Sequence, residues 1–208
     1  MPGDSFYLIG TADDFVRWAI LMYKASADAV YCSANHASVK RMADEAIAVI
    51  GHVGLIPTRK TWTGSFKAAG KTAGSSMQIF QAVKELEAAG AFGAEIEVVR
   101  IEVAKAISER TWLFMLSTGA GEGCDAQYLF ADDVLGQNRG HMPRRSKAYR
   151  NFAAEYDRLQ AERVAAFSKF AADVPSTAYL EERHVLHMDS DHMDRDELGS
   201  FMANINAG

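Results

Sequence analysis

The chain has 208 residues, 49% of them hydrophobic and 24% charged, with a formal net charge of −5. That is enough for one good core and little for two, and the acidic balance, with no phosphate-tracking basic face, excludes a general nucleic-acid binder. Two cysteines, Cys32 and Cys124, exclude a disulfide framework and suit free thiols in a reducing compartment. No apolar run approaches the ~18 residues of a membrane span. The N-terminal "MPGDSFYLIG" has neither a basic n-region nor a long apolar h-region. The expectation is a cytoplasmic protein with neither nucleic acid nor membrane as a partner.

In chain order, "SFYLI" (5–9) is a short strand candidate. "TADDFVRWAILMYKA" (11–25) opens on a threonine cap, carries acids in its first turn and spaces its apolar residues as a helix does. "ADAVYCSA" (27–34) predicts a strand, "HASVKRMADEA" (36–46) a short helix and "IAVIGHVG" (47–54) another strand. That strand opens into a long polar loop with glycines, basic residues and one tryptophan. "AGSSMQIFQAVKELEAAG" (73–90) predicts a helix stopped by Gly90, "AFGAEIEVV" (91–99) a strand, "IEVAKAISERT" (101–111) a helix and "WLFMLSTG" (112–119) a strand. Residues 125–136 read as a strand or a short helix, and 144–174 as one long helix ended by Pro175. The tail beyond it, with "HMDSDHMDRDE", is polar and acidic and in part disordered on this reading.

Strand–helix alternation predicts an α/β fold with a parallel sheet. About six β/α units fit the pattern, against the eight units and roughly 250 residues of a full (β/α)₈ barrel. The prediction is therefore a short or incomplete TIM-type barrel over 1–180, ending in a long C-terminal helix, with a separate polar tail at 181–208.

Chemistry in such folds sits at the C-terminal ends of the strands. The strand at 91–99 stands out because Glu95 and Glu97 share one face, roughly 6–7 Å apart, where a parallel sheet is normally apolar on both. An unpaired buried carboxylate is costly, so the pair reads as a base, a metal ligand or one of each. The competing reading is an edge strand, or glutamates each matched by an arginine or lysine. His52 at the next strand end could polarise a carbonyl, although a lone histidine is more often a satisfied core residue. The glycine-rich turn "STGAGEGCDAQ" (117–127) could form an anion-binding nest or simply need φ > 0. It matches neither a dinucleotide fingerprint nor a P-loop, and "GKT" at 70–72 lacks the first P-loop glycine. Cys32 reads as small apolar filler. The tail fails as an EF-hand, because Met193 and Asp194 stand where a ligand and the glycine belong.

Three motifs in order carry a resemblance: "GHVGLIPTRKTWTGSFKAAGK" (51–71), "LEAAGAFGAEIEVVRIEVAKAI" (86–107) and "MLSTGAGEGCDAQYLFADDVLG" (115–136). They resemble the ketopantoate hydroxymethyltransferase family, barrels of the phosphoenolpyruvate mutase/isocitrate lyase superfamily. The resemblance implies enolisation of a branched 2-oxo acid on Mg²⁺, followed by transfer of the one-carbon unit of 5,10-methylenetetrahydrofolate. It implies Glu97 as catalytic base and His52 as the pocket histidine on the oxygen side. Ser117, Gly119 and Gly121 would line the substrate pocket by motif position, with Ser33, at the end of the 27–34 strand, as a further substrate contact. It also implies a homo-oligomer. The family draws metal ligands from early "VGDS", "ADMPF" and "KLEGG" motifs, and the resemblance places the start of this chain near the third strand of that pattern. "SFYLIG" carries no aspartate, and "YCSA" stands where "KLEG" belongs. Asp4, in "GDS", is a residual metal candidate, and Glu95, an acid where the family has an apolar residue, is the other. Two rival readings stand beside this one: a diverged superfamily lyase acting on a C–C bond next to a 2-oxo acid, and a truncated barrel without catalysis.

Overall fold

The computed structural model describes residues 10–56, 69–140, 142–186 and 195–207. The candidate strand at 5–9, Asp4, most of the loop after His52 and the centre of the acidic tail lie outside the described residues. The chain divides into two compact units, Met1–Arg150 and Asn151–Gly208.

The first unit is α/β, with a five-stranded all-parallel sheet in the order β1-β2-β3-β4-β5. This is a half-barrel, as in a partial TIM-type barrel. Its elements are α1 (Ala12–Lys24), β1 (Val30–Tyr31), α2 (His36–Ala43), β2 (Val49–Gly54) and α3 (Ala73–Ala88), followed by β3 (Gly93–Glu97), α4 (Ile101–Ser108), β4 (Phe114–Thr118), β5 (Ala126–Gln127) and α5 (Ala131–Leu135). Five strands stand among the described residues where the pattern suggested about six units. The ambiguous 125–136 stretch resolves into a strand and then a helix, because two residues of pairing to β4 give way at Phe130, which caps α5. Both edge strands are only two residues long, which limits the unpaired edge that an open sheet leaves.

Local signals fix the helices. Thr11 and Asp14 close a reciprocal capping box on α1, and the Thr72 side chain accepts from Ser75 N–H at the start of α3. Ile79, Val83 and Leu86 form the buried stripe of α3. Leu86 lies so close to the sheet that a Cβ on Gly51 would sit 2.6 Å from its methyl groups. Gly51, Val53, Ala94 and Ile96 therefore form the helix-covered face of the sheet, and Ile50, His52, Glu95, Glu97 and Thr118 the opposite one, by the parallel registers His52↔Glu95 and Glu97↔Thr118.

The second unit holds α6 (Phe152–Asp173), a 3₁₀ turn (Glu182–His184) and α7 (Arg195–Asn206). The long helix begins at Phe152, not at 144: Asn151 caps it by accepting from Ala154 N–H, and 144–151 is irregular. The polar tail carries two further helical segments where the acidic composition pointed to partial disorder. Among the described residues no helix is long and apolar enough to cross a membrane.

Gly54 closes β2 at φ +88°, where a Cβ would meet the Glu97 carbonyl oxygen at 2.4 Å, and the next residue, Leu55, donates its N–H to that same oxygen at 2.9 Å. Gly54→Ala is expected to cost about 2–3 kcal/mol, read as a Tm fall of roughly 4–12 °C in thermal unfolding followed by circular dichroism. An unchanged Tm would show that the close approach is not part of the fold in solution.

Candidate active site

The face left by the helices carries the charged residues, all near the C-terminal ends of adjacent strands. Glu95 is 3% exposed and Glu97 1%, so their charge must be matched within the protein. His52 Nε2 lies 3.3 Å from Glu97 Oε2, while the Tyr31 hydroxyl meets His52 Nδ1. Arg145 Nη2 lies 2.6 Å from Glu97 Oε1; its N–H groups do not align on that oxygen, so the contact is ionic rather than a directed hydrogen bond. The Thr118 hydroxyl donates to Glu95 Oε1 at 2.6 Å.

Arg145 arrives from the irregular stretch after α5. Ser146 donates its hydroxyl to the buried Asp133 at 2.5 Å, and Tyr149 N–H donates to Val134 O at 2.9 Å, so the stretch that follows the arginine is tied to α5 at two points. Its aliphatic stem lies on Gly119, at φ +67°, where a Cβ would stand 2.7 Å from Arg145 Cβ. The first glycine of the turn thus makes room for the arginine.

The two carboxylates differ in environment. Burial pushes the Glu95 carboxyl up from its ordinary value; the neighbouring His52 and the Thr118 hydrogen bond pull it down, and the nearby Glu97 charge pushes it up further. Burial also raises the Tyr128 phenol, reinforced by the charge of Glu95, which puts that ring in the same field. Cavities of about 510 Å³ and 700 Å³ adjoin the group, the first beside His52, Gly54 and Lys71, the second beside Gly119, Tyr128 and Arg145.

His52, Glu95 and Glu97 each offer one ligand atom, and these atoms lie within 4.8 Å of one another. Buried His52 Nε2 accepts or donates no hydrogen bond among the described residues, the condition a bound cation relieves, whereas Glu97 Oε1 already faces the Arg145 guanidinium. Two carboxylates and an imidazole fit a divalent ion. With Nδ1–H donating to the Tyr31 oxygen, Nε2 keeps the lone pair for a cation; with the tautomer reversed, Nε2–H can donate to an oxygen.

His52, Glu95 and Glu97, singled out from the sequence, thus come together, and one of the two alternatives for the pair, a matching arginine, holds for Glu97. Gly119 and Gly121 line the second cavity. Ser117 lies in register with Ile96, on the other face from Glu97, and its Oγ accepts from Ala120 N–H at 3.2 Å. Ser33 is half-buried beyond the end of β1 and does not line the cavity at His52. Sequence reasoning missed Tyr31, Thr118, Tyr128 and Arg145. Thr118 was accessible from strand alternation once paired with Glu97. Arg145 was hidden by reading "RRSKAYR" into the helix that follows; Pro143 and the cap at Asn151 were the available signals.

Compared with known proteins, the sequence profile of ketopantoate hydroxymethyltransferase matches residues 6–182. The chain belongs to the ketopantoate hydroxymethyltransferase family. Curated relatives include 3-methyl-2-oxobutanoate hydroxymethyltransferases of Nitrosopumilus maritimus, 33% identical over 90% of this chain and 67% of the relative, and of Halalkalibacterium halodurans, 30% identical over 81% and 59%. That of Thermotoga neapolitana is 35% identical over 71% of this chain and 52% of the relative. This family member therefore spans between about half and two thirds of the length of the relatives it matches.

Because the folded state holds the Glu95 proton more tightly than the unfolded chain does, the contribution of Glu95 to stability is largest below the ordinary carboxyl value. It falls as pH rises from there to the raised folded value. Glu95→Gln mimics the protonated form. It is expected to raise Tm by roughly 2–6 °C at neutral pH and to leave it unchanged near about pH 4; a gain that persists in acid would exclude the carboxyl as its source. In the parent protein, Mn²⁺ or Mg²⁺ at a hundredfold excess over Kd should add about 2.7 kcal/mol of stability. The effect should strengthen with rising pH as Glu95 gives up its proton and vanish in Glu95→Gln. A cation shift that survives in that variant would place the ion elsewhere.

Proposed function

We propose that this chain is a 3-methyl-2-oxobutanoate hydroxymethyltransferase-like enzyme that enolises a branched 2-oxo acid and adds a hydroxymethyl group from 5,10-methylenetetrahydrofolate. The observation that carries the reading is the convergence of His52, Glu95 and Glu97 at neighbouring strand ends, their ligand atoms within 4.8 Å, in a chain of this family. Glu97 takes the proton next to the carbonyl, and His52 hands a hydrogen bond to the oxygen on which charge develops. Arg145 offsets the buried Glu97 charge. With His52 Nε2–H as donor and Glu97 as base, Glu95, held by Thr118, is the carboxylate that would hold a divalent ion, which, when bound, would supply positive charge beside the substrate oxygens. The exposed Phe92, Trp112 and Phe114, next to the N-terminal ends of β3 and β4, support a homo-oligomer assembled through the end of the sheet away from the chemistry.

A lyase acting beside a 2-oxo acid is the second reading. It is favoured by Glu95, which gives this chain a carboxylate where the resemblance has an apolar residue. Proton NMR of 2-oxo-3-methylbutanoate in D₂O tests the shared first step without folate. The C3 proton is expected to exchange with Mg²⁺ present, to stop exchanging in EDTA, and to slow by about 10²–10⁴-fold in Glu97→Gln. Exchange unaffected by Glu97→Gln would remove the assigned base. With methylenetetrahydrofolate added, a hydroxymethylated product supports the transferase, and a cleavage product the lyase.

A further inference from the structure

What His52 can do depends on which ring nitrogen carries its proton, and the structure constrains that choice from both sides of the ring. Tyr31 stands in "YCSA", where the chain departs from the resemblance. It is in register with Ile50, on the charged face of the sheet, and Cys32 N–H donates to Ile50 O at 2.9 Å, so the pairing of β1 with β2 continues past it. From there the Tyr31 ring reaches along β2 to His52, two residues after Ile50 on the same face. The ring centroids are 5.7 Å apart, with the planes tilted by 58°, and the Tyr31 hydroxyl meets Nδ1. Across the imidazole, Nε2 lies 3.3 Å from Glu97 Oε2, and both of these side chains are buried. An ionised carboxylate only accepts hydrogen bonds, whereas a phenol both donates and accepts. A bare Nε2 lone pair facing Glu97 Oε2 would be repelled, and an Nε2–H there is attracted, so Tyr31 is the partner that adapts, by donating to Nδ1. Arg145 already sets a cation against the other Glu97 oxygen, so the ring needs no second proton. Nε2 makes no aligned hydrogen bond among the described residues, which leaves its N–H for an oxygen that arrives.

We propose that Tyr31 is a positioning residue for the reaction. By donating to Nδ1 it holds His52 in the tautomer whose Nε2 carries the proton, so the imidazole serves as hydrogen-bond donor to the substrate oxygen and not as a metal ligand. The inference rests on the enolisation reading above and adds to it the residue that sets the protonation of its donor. It leaves the divalent ion to the carboxylates.

The test is nitrogen NMR of the full chain carrying isotope-labelled histidine, at about pH 8, above the ordinary histidine value. Among the six histidines, His52 is the one whose signals are lost in His52→Gln. The parent protein is expected to show a neutral His52 ring, protonated at Nε2, with Nδ1 accepting a hydrogen bond, and to keep that proton when Mg²⁺ is added. Tyr31→Phe, with circular dichroism confirming its fold, should move the Nδ1 signal out of its hydrogen-bonded position and give a mixture of tautomers. In the C3 exchange of 2-oxo-3-methylbutanoate the same variant should lose about 10–100-fold in kcat, with KM little changed. A parent ring protonated at Nδ1, neutral or cationic, overturns the proposal whether or not the variant folds, and so does an Nε2 proton displaced by Mg²⁺. Ring signals unchanged in Tyr31→Phe, an unchanged kcat, or a loss carried by KM alone overturn it as well. The enolisation reading fails separately. A parent protein that exchanges no C3 proton sinks that chemistry, while the tautomer and its dependence on Tyr31 are read without substrate.

Discussion

The structure turns on a carboxylate that water does not reach. Glu97 sits at the C-terminal end of the central strand, 1% exposed, where a bare charge would cost several kcal/mol. Its neighbours answer that cost. His52 faces one oxygen and Arg145 the other. Glu95, two residues earlier on the same face, is held by Thr118 and carries a raised carboxyl value. Two acids so close cannot share one environment, and their surroundings differ: one is matched by a guanidinium, the other is biased toward its neutral form until something positive arrives. Buried carboxylates set in such unlike surroundings are what the proposed site rests on.

Much of this was legible in the sequence because it depended on short-range periodicity. Alternation along "AEIEVV" put Glu95 and Glu97 on one face before any pairing was known, and strand position put His52 near them. What alternation could not supply was register. Ser117 occupies the same motif as Gly119 and Gly121, lies in register with Ile96 on the other face from Glu97, and accepts from the turn at Ala120 N–H. Arg145 was illegible for a different reason. Its stretch has the charge and aromatic content of the helix that follows, and only tertiary ties to Asp133 and Val134 hold it out of that helix. The edges of the sheet were hard to read because two-residue strands carry almost no pattern.

Family membership and the local geometry speak to different levels. The match over residues 6–182 assigns the lineage and the half-barrel gives it a frame, while the distances within the charged group are properties of this chain's own geometry. Glu95 adds a negative charge to the strand where the resemblance has an apolar residue, and Arg145 sets a positive one against its neighbour Glu97. The buried acids need compensation more than the half-buried arginine does, so the group is best understood through the charge balance of one small volume.

The order of these partners along the chain has a consequence for synthesis. Both glutamates leave the ribosome well before Arg145 and the α5 anchors that hold it. A nascent chain that has completed β2, β3 and β4 already has the hydrophobic face to collapse its helices onto the sheet, and His52 and Thr118 beside the acids, but not the guanidinium that matches Glu97. The charge match of Glu97 is therefore completed last, by a short irregular segment that follows the sheet in the chain.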